Sequence, residues 1–148
     1  MTCSRVIRGA EVTKGERAIG RARALVGTRF VAQGRDPAIG LDCVGLALLA
    51  YGLDAAEVSD DYRLSGAHRG AILDVAKGKF RRVPKSRRRA GDLLMLRAGM
   101  AQWHLAIWTG DGIIHADIVN RKIVERPGSP DWPVAAALRP RARIVEGG

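Results

Sequence analysis

The sequence predicts a single α+β domain, helical in its first third and built on an antiparallel sheet in its last. Three observations carry that expectation. Apolar residues recur at three- and four-residue steps up to Leu53, and in short strand-like runs after Asp92. Gly110-Asp111-Gly112 separates two of those runs as a tight hairpin turn. A chain of 148 residues can bury one continuous core but is too short for two ordinary ones, and no repeat or linker divides it.

The elements follow in order. Ile19, Ala22, Leu25 and Val26 give an amphipathic helix over Lys14–Val26, with Gly27 where a C-cap glycine belongs. Gly34, Pro37 and Gly40 mark residues 28–40 as a loop. LDCVGLALLAYG (41–52) is a buried helix, with Asp42 able to cap its start and Cys43 in its first turn. Ala67, Ala71, Ile72 and Val75 suggest a short helix, and KFRRVPKSRRR (79–89), with seven cations in eleven residues, reads as a solvated basic loop. The strands are LLML (93–96), HLAIW (104–108), IIHAD (113–117), KIVE (122–125) and ARIVE (142–146). Helices first and a meander afterwards form two layers, with helix packed across sheet.

Composition narrows the function classes. Hydrophobic residues at 47% and charged residues at 27% describe a folding chain, not a disordered one. No apolar run approaches the roughly 20 residues of a membrane span, and the first 21 residues lack the apolar stretch of a secretory signal. The expectation is a chain made in the cytoplasm without a signal peptide, with Cys3 and Cys43 as free thiols. A net charge of +10 implies attraction to polyanions without choosing among nucleic acid, anionic lipid and the acidic polymers of a bacterial envelope.

The candidate chemistry centres on Cys43. In the first turn of a helix a thiol feels unpaired backbone N–H groups and the positive end of the dipole, both of which favour thiolate. The alternative is a buried structural cysteine. Gly45, two residues on, allows close packing or the approach of a substrate backbone. A thiolate nucleophile needs an imidazole within about 4 Å. His104 begins one strand and His115 lies in the next across the turn, so a hairpin brings both rings together, one as base and the other to orient it. His68, beside charge and glycine, has no assigned role. A metal site from Cys43, His104, His115 and Asp117 is a weaker use of the same atoms, since neither HExxH nor paired CxxC is present. No metal or other cofactor is expected. Without a phosphate loop or aromatic-interleaved basic strands, nucleic-acid binding rests on residues 79–89 alone and is the minor reading.

Taken together, GTRFVAQGRDPAIGLDCVGL, RRRAGDLLML and HLAIWTGDGIIHA resemble, in the same order, the blocks of the NlpC family of papain-like cell-wall cysteine peptidases, over about residues 14–117. The resemblance implies Cys43 as nucleophile, His104 as base, His115 as the polar third member, and Asp42 as a partner of the substrate's free amine. It implies hydrolysis of a peptidoglycan stem peptide, typically after D-γ-glutamate. Val44 replaces the family's usual Ser, Phe30 its Tyr and Ala32 a common Trp, so Phe30 and Val44 are expected beside the substrate groove with altered contacts. The basic chain also resembles peptidases encoded with phage tails and gene-transfer particles, which implies phage-like tail proteins as partners and delivery to the wall within the particle. The alternatives are a tail-assembly or wall-binding module of the same fold with weak or no activity, and a cytoplasmic amidase or acyltransferase.

Overall fold

The computed structural model describes residues 12–53, 78–99 and 102–141. Cys3, His68, the helix expected around Ala67–Val75 and the strand expected at 142–146 lie outside these residues.

Helix α1 spans Lys14–Ala24 and begins with a reciprocal capping box. The Thr13 hydroxyl accepts from Glu16 N–H, and the Glu16 carboxylate accepts from Thr13 N–H, each at 3.0 Å. Ala18, Ile19 and Ala22 form its buried stripe, while Val26, beyond the helix end, stays exposed. Helix α2 spans Cys43–Tyr51 and is buried over Cys43–Leu48 and at Ala50. A helix apolar on nearly every side must be surrounded, and this one packs against both α1 and the sheet. Gly52 ends it in the left-handed conformation, φ 66°.

Between the helices the chain forms a small ribbon, β1 (Arg35–Asp36) against β2 (Gly40–Leu41), inside the segment expected to be loop. Phe30 N–H donates to Arg121 O and Leu41 N–H to Arg29 O, each at 2.9 Å, which ties this connection between the far edge of the sheet and the start of α2.

The sheet has six antiparallel strands: β3 (Phe80–Val83), β4 (Leu93–Arg97), β5 (Trp103–Trp108), β6 (Gly112–Asp117), β7 (Lys122–Pro127) and β8 (Val134–Pro140), in the order β3-β8-β4-β5-β6-β7. Its two faces follow the period-two alternation of the strands. Leu93, Met95, Leu105, Ile107, Ile114 and Ile123 pack with the helices, whereas Leu94, Leu96, Ala106 and Ile113 face the other side, where Trp108, Trp132 and Val134 cover them.

The α+β architecture matches the sequence expectation, with two corrections at the sheet's first edge. The basic run is not all solvated loop, because Phe80 and Val83 are buried and its first residues form β3. The partner of β3 is β8, a strand absent from the reading above. Its sequence VAAALRP has weak β propensity, and pairing on both sides with β3 and β4 overrides that. Where β8 meets β4, Asp92 accepts from Arg139 Nε and Nη2, each at 2.9 Å, and from Arg89 N–H at 2.7 Å. No described helix is long and apolar enough to cross a membrane.

Candidate active site

The turn at Gly110–Gly112 places β6 against β5 with Ala106 opposite His115, so that His104 and His115 share one face of the sheet on a diagonal. Their rings meet edge to face at 86°, and His104 Nε2 lies 2.8 Å from His115 Nδ1. Both side chains are nearly buried, His104 at 6% exposure and His115 at 1%.

Cys43 opens α2, which packs on β5. The backbone N–H groups of Cys43 itself and of Leu105, the residue that follows His104, act on its sulfur in favour of thiolate, which puts the thiol near the start of β5. With Nε2 committed to His115, Nδ1 is the other ring nitrogen of His104.

Electrostatics keep this group neutral at rest. Burial, followed by the adjacent Asp42 carboxylate, pushes the Cys43 thiol up to about 12, against the opposing pull of the Leu105 and Cys43 N–H groups and of Arg35. Burial, followed by the neighbouring His115, brings His104 down to about 4 despite Asp117. Burial also lowers His115. The sequence argument that a helix start favours thiolate is therefore corrected, since desolvation outweighs the dipole once the thiol is only 1% exposed.

The residues expected at a substrate groove have structural partners. Asp42 caps α2, accepting from Gly45 N–H at 2.9 Å, from Gln33 N–H at 2.7 Å and from Arg35 Nη1 at 3.4 Å. These partners give Asp42 a capping role within the chain. Val44, at 3% exposure, belongs to the core. Phe30 is partly buried against the same core. Gly45 is needed for packing: a β-carbon there would run into the carbonyl oxygen of Gly34.

Among the described residues no group of three His, Cys, Asp or Glu side chains converges as a metal site, and no hydrogen bond joins Cys43 to either ring. Two contributors escaped the sequence reading. Arg35 pairs with Asp42 from β1, inside the segment expected to be loop. Trp132, in the segment between β7 and β8, stands against both imidazoles. Neither carries a spacing that would have marked it.

Residues 27–133 match the family model described as NlpC/P60 family. The chain belongs to the NlpC/P60 family. Solved structures agree on the NlpC/P60 fold. NlpC1 from Trichomonas vaginalis superposes with a TM-score of 0.64 at 19% identity over 86% of this chain and 44% of its own. The NlpC/p60 domain of the peptidoglycan hydrolase SagA gives 0.57 at 23% identity, covering 82% of this chain and 97% of that domain. The peptidoglycan hydrolase RipB from Mycobacterium tuberculosis gives 0.57 at 21% identity, covering 85% and 63%. The chain thus spans less than half of the T. vaginalis protein and nearly all of the SagA domain. No curated protein matches the sequence significantly.

Proposed function

We propose that this chain is a cysteine peptidase of peptidoglycan stem peptides, with Cys43 as nucleophile, His104 as general base and His115 as the residue that orients it. The observation that carries the reading is the 2.8 Å contact between His104 Nε2 and His115 Nδ1, next in the chain to Leu105, whose N–H acts on the Cys43 sulfur. Two proteins of similar fold are described as peptidoglycan hydrolases, which supports the substrate class. The bond after D-γ-glutamate is the one implied by the family resemblance.

In this reaction the Cys43 thiol proton passes to His104 Nδ1 as sulfur attacks the carbonyl carbon. A neutral resting pair makes this a general-base step and not the attack of a stored thiolate. The first N–H groups of α2 lack helical acceptors and suit the developing oxyanion. The carbon–nitrogen bond breaks as His104 returns the proton to the leaving amine. Water, deprotonated by the same nitrogen, then hydrolyses the thioester.

Incubation of the protein and its Cys43→Ala variant with sacculi and defined stem peptides, read by mass, tests the proposal. Cleavage by the native protein alone supports it and names the bond; no cleavage by either overturns it. The depth of Cys43, 1% exposed, favours a second reading, a wall-binding module of the same fold. That reading expects both forms to bind sacculi equally and to release nothing. Carriage in a phage-like tail belongs to the first proposal, motivated by the basic chain and its likeness to tail-encoded peptidases. Recovery of the protein from purified particles tests it.

A further inference from the structure

His115 combines three features that do not sit easily together. Its Nδ1 is engaged by His104. Its ring lines a cleft of about 580 Å³ shared with Asp117, Asn120, Val124, Arg126 and Trp132. Its Nε2 is nevertheless buried and has no hydrogen-bond partner. For His104 Nδ1 to take the thiol proton, that nitrogen must be bare, so His104 Nε2 carries the hydrogen and His115 Nδ1 accepts it. His115 Nε2 then carries an N–H that meets neither a protein acceptor nor the water of the adjoining cleft. A donor kept dry in this way is costly. A specific group must hold it so.

That group is Trp132. Its indole stands edge to face against His104, with ring centres 5.3 Å apart at 70°, and against His115 at 6.0 Å and 71°. It also lines the cleft. We propose that Trp132 is a positioning residue of the reaction: it clamps the two imidazoles in the arrangement that leaves His104 Nδ1 free as base, and it seals the far nitrogen of His115 from the cleft. The catalytic consequence rests on the peptidase reading, whereas control of the two rings stands without it.

The indole is gripped from both sides of its segment. Asp131 pairs with Arg126 of β7 at 3.0 Å, and Pro133 O accepts from Arg97 N–H of β4 at 3.0 Å. The charges that act on His115 are Asp117 and Asp131, which favour its imidazolium, and Arg126, which opposes it; Asp117 also acts on His104. Trp132 adds no charge. Its effect is to exclude water, which disfavours the charged form of both rings. A tryptophan that only covered the outer face of the sheet beside Trp108 and Val134 would lower stability when truncated and leave the rings as they were.

The test is imidazole nitrogen NMR on Cys43→Ala protein, which reports tautomer and titration midpoint for each ring, with Trp132 intact, replaced by Phe, and replaced by Leu. The expected result is a rise of both midpoints by about one pH unit or more in Trp132→Leu, with loss of the single His104 tautomer, and a smaller rise in Trp132→Phe. The phenylalanine variant keeps most of the ring, so it answers the question if the leucine variant does not fold. With Cys43 present, Trp132→Leu should lower kcat about tenfold with little change in KM, and move the acid limb of the stem-peptide rate upward. Midpoints and tautomers unchanged in both variants overturn the proposal. Rings that shift in a protein that cleaves no peptide uphold the clamp and remove the peptidase reading instead.

Discussion

At Cys43 two effects of opposite sign meet. The start of α2 offers N–H groups that favour thiolate, and burial takes away the water that thiolate needs. Burial wins, with the thiol pushed up to about 12, so alkylation should follow the small thiolate fraction and not a stored ion pair. Iodoacetamide should therefore modify Cys43 at least about tenfold more slowly than free cysteine near neutral pH, with the rate rising about tenfold per pH unit. Mass analysis of the Cys43 peptide checks this; fast alkylation near pH 5 to 6 would show that the thiolate–imidazolium pair exists before substrate. Asp42 is the second cause of the upward shift, so Asp42→Asn should lower the thiol pKa and speed alkylation at a fixed pH while keeping a capping oxygen.

At the scale of the element, the start of α2 depends on three close approaches. Asp42→Ala removes the acceptors of Gly45 N–H and of Gln33 N–H in a buried site, and should cost about 2–3 kcal/mol in urea unfolding, only part of it restored by Asn, whose single oxygen can accept one of the two. Gly45→Ala would drive a β-carbon into the Gly34 carbonyl and should cost about 3 kcal/mol, an unusual loss for an alanine within a helix. These elements were legible in the sequence because each carries its own local signal. Asp42 precedes an apolar helix, and the Gly110–Gly112 turn fixes the pairing that brings His104 onto His115. β8 and Trp132 were not legible for the opposite reason. Alanine-rich VAAALRP becomes a strand only when β3 and β4 flank it, and Trp132 reaches the histidines only when Asp131 and Pro133 are tied to neighbouring strands. The burial of Val44 was not legible either, because a likeness of sequence position does not report burial, which the packing of α2 decides.

At the scale of the whole molecule, the burial of Cys43 and of the histidine pair should appear in the pH dependence of folding. His104 titrates at about 4 in the folded chain against an ordinary 6.5, so below about pH 6.5 the unfolded chain binds a proton that the folded chain refuses. Stability therefore falls as pH drops through that window, by as much as roughly 3 kcal/mol from His104 alone, and His115 acts in the same direction. Cys43 works from the other side. Its folded pKa of about 12 exceeds the ordinary 9.0, so above about pH 9 the unfolded chain loses a proton that the folded chain keeps, and stability falls again. Thermal unfolding should show a plateau between about pH 6.5 and 9 that slopes down on both sides. Cys43→Ala should flatten the alkaline slope and leave the acid one, and His104→Phe should do the reverse. An acid slope unchanged in His104→Phe would mean that groups other than His104 control acid unfolding. In that case the histidine pair is better hydrated in solution than its 2.8 Å contact and 6% exposure imply.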